Sequence, residues 1–334
     1  MHTETPNRKA FEGLADAIMK IDSYRSSKNR SLLELARRDL TTALTEDPDF
    51  LPGHFYSAIV DDLLGRPKDA VLGFQRILSE VPSNDSELRQ EIRYNLAVAH
   101  YHRYSLKHLD KAQAEFEGLL RDTQDKRLRC LIECGLAQTF AMAEIPSDPD
   151  SVNDAELTRI KSKFEASRRM QIDAKKHADL LPKRERDLVL GTALNASGMS
   201  LMYYSDFFGP PQEKSAMLDL ALEALREADR HIPSDWANWC DLGSAHMRLG
   251  LWRNSSTDFQ EARNCLLRVV TTLRPNYGFA LYEIGRAYRI EGKFDEALEY
   301  FEKSRAVHKD YREVGDSRLD RESYLASRQD RKYP

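Results

Sequence analysis

Several things are scarce in this chain, and each shortage removes a class of protein. Only 4 of its 334 residues are cysteine, widely scattered, so no disulfide framework is expected and reduced, partly buried thiols are. Glycine, at 15 residues, falls below its usual share of about 7%. Valine and isoleucine total 22 against 41 leucines, a balance that favours straight-chain helix formers over β-branched residues. No apolar run reaches the roughly 18 residues of a membrane helix, and the start MHTETPNRKAF lacks the apolar core of a secretion signal. A cytoplasmic protein with no membrane partner is the expectation. Neither charge sign dominates, with 50 Lys and Arg against 54 Asp and Glu and a net charge of −4, so no dedicated nucleic-acid binder is expected. Phosphate loops of the GxxxxGK[ST] form, GxGxxG, GxSxG and HExxH are all missing. The reading is accordingly non-enzymatic, without cofactor or metal.

What the chain does hold is a spacing. In the run LYEIGRAYRIEGKFDEALEYFEKSRAV, Leu281, Ile284, Gly285 and Tyr288 are followed by Gly292, Phe294, Ala297 and Phe301. Two short amphipathic helices meeting tightly fit this pattern: Gly285 is small where the helices approach, Gly292 ends the first in a left-handed turn, and Ala297 lets the second pack back. Asp295 reads as an N-cap region residue. Trp239, Leu242, Gly243, Gly250, Trp252, Phe259 and Ala262 repeat the theme, with His246 and Ser255 as departures. Near the other end, Ala36, Leu40, Ala43 and Pro48 recur as Ala70, Phe74, Ile77 and Pro82, displaced by 34 residues throughout.

These residues resemble the tetratricopeptide-repeat (TPR) family, whose Trp, Leu-Gly, Tyr, Ala, Phe and Pro positions build helix-turn-helix units of 34 residues. His246 stands where that family prefers Tyr, and Ser255 where it prefers Ala. The resemblance extends over some nine-tenths of the chain as seven helix pairs, at 11–48, 49–82, 88–122, 126–181, 184–233, 235–274 and 277–309. Regular repeats fall at about 31–122 and 235–309, and irregular pairs at 126–233. The 42 residues from Gly243 to Gly285 imply a second helix extended by about two turns, through Cys265 to Leu273. The implied fold class is all-α: one right-handed α-α superhelical solenoid over 1–334. A charged capping helix at about 311–331 carries Val314, Leu319, Tyr324 and Leu325.

Candidate chemistry reads as structural. His100 and His102, two apart on a helix, point to different faces. Cys130 and Cys134 share a face but have no His or Cys pair nearby in sequence, which favours core thiols over a metal site. Segment 161–186 holds nine basic residues, among them the patch Lys161, Lys163, Arg168, Arg169, Lys175 and Lys176, against four acids. A solvated helix face is the first reading and RNA binding an alternative, because no interleaved aromatic platform accompanies the charge.

In the resembled family the first helix of each pair lines the concave surface, where ligands lie as extended peptides or helices. Carried onto this sequence, that implies a groove of Phe55, Tyr56, Ile59 and Asp62, then Tyr94, Asn95, Val98 and Tyr101. Ile132, Glu133, Leu136 and Thr139 follow, then Asn195, Ala196, Met199 and Met202. Cys240, Asp241, Ser244, Met247, Tyr282, Glu283, Arg286 and Arg289 complete it. The Lys and Asn set with which chaperone-binding members hold a C-terminal carboxylate does not recur, so an apolar or amphipathic segment is the implied ligand. The function expected is a non-catalytic interaction scaffold, as one subunit of a larger complex, binding a protein or peptide segment. A peptide-sensing regulatory receptor is the alternative.

Overall fold

The 34-residue displacement that relates Ala36, Leu40 and Ala43 to Ala70, Phe74 and Ile77 becomes, in the computed structural model of the chain, two successive buried helix faces, each of these side chains at most 2% exposed. The structure describes residues 8–27, 29–103, 106–142, 152–207, 211–233, 235–275 and 277–307. The expected capping helix at about 311–331 lies outside the described residues. Among the described residues there is no strand; the fold is an all-α solenoid of antiparallel helices. No helix among them is long and apolar enough to cross a membrane.

The chain divides between Tyr104 and Ser105 into two compact units. The first contains α1 (Arg8–Ser27), α2 (Ser31–Glu46), α3 (Leu51–Leu63), α4 (Pro67–Glu80) and α5 (Ser86–Tyr101). Ala10, Leu14, Ala17, Ile21 and Tyr24 recur at helical spacing on α1 and are buried against α2. Gly65, at φ 81°, ends α3 in the left-handed region, and Pro67 opens α4 where its missing N–H costs nothing. Asp85 caps α5 by accepting from the Leu88 N–H at 3.2 Å.

The second unit runs through α6 (Leu106–Asp122), α7 (Lys126–Met142), α8 (Asp154–Ala178), α9 (Lys183–Phe207) and α10 (Pro211–His231). It continues with α11 (Trp236–Arg253), α12 (Ser256–Arg268), α13 (Gly278–Ile290) and α14 (Phe294–Val307). Each helix packs on the next, and α7 with α9, α9 with α11 and α11 with α13 also touch, so the first helices of successive pairs lie side by side. The extension predicted beyond Cys265 is present in a different form: α12 passes into a π-helical turn, Val269–Leu273, before Pro275. Asp295 sits in the first turn of α14 rather than at its cap. Asn153 and Glu156 form a reciprocal capping box at the start of α8.

The glycine of the Leu-Gly motif earns its place by contact. A Cβ on Gly285 would meet Phe301 Cε1 at 2.6 Å, closer than side chains tolerate, and Phe301 is fully buried in return. Gly292, at φ 77°, makes the turn to α14. His246 is accommodated by a polar contact: its Nδ1 lies 3.2 Å from Asp258 Oδ1 on α12.

Candidate interaction surface

The first-helix positions expected to line an open face are of two kinds. Phe55, Tyr56, Ile59, Tyr94, Asn95 and Val98 in the first unit, and Asp241, Tyr282 and Arg286 in the second, are half-buried. Tyr101, Ile132, Leu136, Asn195, Met199, Met202, Met247 and Arg289 are buried. For Met199 and Met202 the reason is helix length. With α8 and α9 both 25 residues long, Met199 and Met202 are enclosed by Ile160 and Phe164 of α8, Leu218 and Leu222 of α10, and Leu242 of α11. A 34-residue repeat would leave less helix to cover them.

In the first unit the half-buried set is apolar. The Phe55 ring stands edge-on to Tyr56 at 5.5 Å and to the buried Phe74 at 5.9 Å, which fixes the Phe55 ring while it and Tyr56 stay half-buried. Helices α3 and α5 are tied by His102, whose Nδ1 lies 2.8 Å from Asp62 Oδ2, while His100 is buried on the other side. Asn95 is spent on its own helix, donating to the Glu91 carbonyl at 2.8 Å.

In the second unit the same face is polar and continuous across three helices. Gln138 on α7 donates to Asn195 Oδ1 at 2.7 Å, and Asn195 on α9 donates to Asp241 Oδ2 at 2.8 Å and Asn238 Oδ1 at 3.2 Å on α11. Asn238 donates onward to the Leu225 carbonyl at 2.9 Å. Burial pushes the Asp241 carboxyl up to about 7, against the Asn195 hydrogen bond that favours its charged form. Alongside, Arg248 grips Asp206 with Nε and Nη2 at 2.9–3.1 Å and lies 5.0 Å from the Tyr203 ring centre. On α13, Arg286 Nη1 donates to Glu283 at 2.9 Å.

Sequence reading picked out Asn195 and Asp241 but missed Gln138, Asn238 and Arg248. The Asn238–Asp241 spacing of i, i+3 was the available signal, since it places both on one helical face.

The basic residues of α8 do not form one patch. Lys161 and Arg168, with Phe164, Gln171, Ser200 and Tyr204, line a cavity of about 410 Å³. Its floor is a buried network in which Gln171 Nε2 donates to Ser167 and Ser200 at 3.0 and 3.1 Å. Lys163 instead donates to Gln113 at 2.9 Å and lies 4.8 Å from the Phe140 ring centre. Arg169 and Lys176 are exposed on another side of the helix and Lys175 is half-buried.

One more cluster was not legible locally. Cys130 and Glu133 of α7 meet His177 of α8, and one donor atom from each lies within 4.8 Å of the others. Cys134, one turn on, donates to the Val189 carbonyl at 3.6 Å.

The tetratricopeptide-repeat sequence pattern matches residues 236–310. No curated protein matches the chain. Among solved structures, a tetratricopeptide-repeat protein of Parabacteroides merdae is 13% identical, with 96% of this chain and 100% of that one covered and a TM-score of 0.40. A thermophilic TPR protein of Thermus thermophilus is 17% identical over 71% and 98% of the two chains, with a TM-score of 0.44. The TPR2AB domain of yeast Sti1, solved in complex with pHSP90, is 14% identical over 95% and 98%, with a TM-score of 0.33.

Proposed function

We propose, for a chain that carries tetratricopeptide repeats over residues 236–310, that it is a non-catalytic scaffold whose first-helix faces hold an apolar or amphipathic segment of a partner protein. Repeats of this kind serve as protein–protein interaction scaffolds. The observation that carries the finer reading is the half-buried apolar face of the first unit. Phe55, Tyr56, Ile59 and Tyr94 leave aromatic and aliphatic surface open on two neighbouring helices, the composition found at the centres of interfaces. In the second unit, taken by itself, Asp241, Tyr282 and Arg286 offer polar and charged contacts on that unit's own first-helix face. Four free, buried cysteines fit a reducing compartment. Membership of a larger complex follows from the same reading, since a scaffold acts through what it holds.

The test is capture of partners by the whole chain and by a Tyr56→Ala, Tyr94→Ala double variant whose helical circular dichroism is unchanged. Loss of the same captured protein supports the face. Undiminished capture by the folded variant removes it.

A further inference from the structure

Cys130, Glu133 and His177 are 44 to 47 residues apart in part, yet antiparallel pairing of α7 and α8 sets the first turns of one against the last turn of the other. Cys130 and Glu133 stand at i, i+3 on α7, so sulfur and carboxylate leave the helix on one side. His177 closes the group from α8, its Nδ1 3.0 Å from Glu133 Oε2. Cys130 and Glu133 are buried, whereas the His177 side chain is 38% exposed, which leaves a path from solvent. The other carboxylate oxygen is already held, with Arg129 Nε donating to Glu133 Oε1 at 3.2 Å. That contact fixes the orientation of the carboxylate and keeps Oε2 turned toward His177, so an ion entering between the two replaces their 3.0 Å contact and takes Oε2 as a single-oxygen ligand.

We propose that Cys130, Glu133 and His177 form a site for one zinc-like transition-metal ion, with water as the fourth ligand. The donor set is one thiolate, one imidazole and one carboxylate, which suits zinc or cobalt and not the all-oxygen preference of magnesium or calcium. Ligand bonds of about 2.0–2.3 Å in a tetrahedron separate donors by about 3.4–3.6 Å. Donors within 4.8 Å therefore need to close by little more than 1 Å, within the reach of side-chain torsions. On binding, the Cys130 S–H gives its proton to solvent, and the imidazole holds its proton on Nε2 while Nδ1 turns its lone pair to the ion. Three protein ligands and an open fourth position match the pattern of sites that keep a place for water. Arg129 is the neighbouring cation that such an ion has to tolerate, and Asp125 is a further acid close to Cys130.

The experiment is titration of the full chain, reduced and stripped of metal, with Zn²⁺ and with Co²⁺ as a spectroscopic stand-in. One equivalent should bind, and the cobalt form should show a sulfur-to-metal charge-transfer band with tetrahedral visible absorption. Removing a ligand should weaken binding by more than the roughly 10–100-fold lost with an outer partner. Cys130→Ser tests this directly. His177→Ala, at a partly exposed side chain, keeps the test valid if the buried substitution fails to fold. Cys134→Ala should bind as the parent does. Absence of the charge-transfer band, or affinity unchanged in His177→Ala, overturns the site.

Discussion

Asn195 on α9 donates to the Asp241 carboxylate on α11 at 2.8 Å while receiving Gln138 of α7 at 2.7 Å, so one amide joins three first helices. A buried amide of this kind fixes how successive pairs register, because any slip leaves a donor or acceptor unmet.

Asp241 makes this register sensitive to pH. Its carboxyl titrates at about 7 in the folded chain, raised first by burial, against about 3.9 in an unfolded one. Between those values the folded state holds a proton that the unfolded state has released. Its contribution to stability is thus full below about pH 4, declines as pH rises, and levels off above 7. Asp241→Asn keeps the acceptor and removes the titration. Thermal unfolding should show its melting temperature gaining on the parent between pH 5 and pH 8; an equal offset at both values would contradict the assignment.

Replacing Asn195 by alanine strands Gln138, Asn238 and Asp241 together. A loss of about 1–3 kcal/mol is expected from unmet buried polar groups, measured by urea unfolding. The pH at which stability levels off should also move upward, since the hydrogen bond that favours charged Asp241 has gone. A simple drop in stability with no shift of that pH would mean that the pair is not coupled.

The glycines of the C-terminal repeat give a second kind of test. Gly285→Ala pushes a methyl group to 2.6 Å from Phe301, and overpacking of about 1–3 kcal/mol should outweigh the roughly 1 kcal/mol that alanine gains in helix propensity. Phe301→Leu should recover part of the loss in the double variant, a coupling absent if the two do not touch. Gly292→Ala has open space around it but φ 77°, so it should cost about 1–2 kcal/mol from backbone strain alone.

Those glycines were readable because small residues at fixed offsets from Ala and Phe are a local signal of close helix approach. The all-helical fold was readable for the same reason: Ala36, Leu40 and Ala43 recur after 34 residues as the apolar set Ala70, Phe74 and Ile77. Open surface was harder to read. Met199 and Met202 occupy groove positions by spacing, but the unusual length of α8 and α9 brings extra apolar surface over them. The meeting of His177 with Cys130 and Glu133 was illegible for another reason, as it depends on how α8 lies along α7 and joins residues 44 to 47 positions apart in sequence. The exchange of Tyr for His246 looked like a weakened motif until Asp258 supplied its partner.

The claim that the first-helix face is the working surface is tested most directly by photo-cross-linking from single positions. A cross-linking side chain placed at Tyr94, half-buried on α5, is compared with one at Leu72, 58% exposed on the second helix α4. One recurring partner segment, linked from position 94 and not from 72, is the predicted result. Equal linking from both positions, or linking from 72 alone, would contradict it.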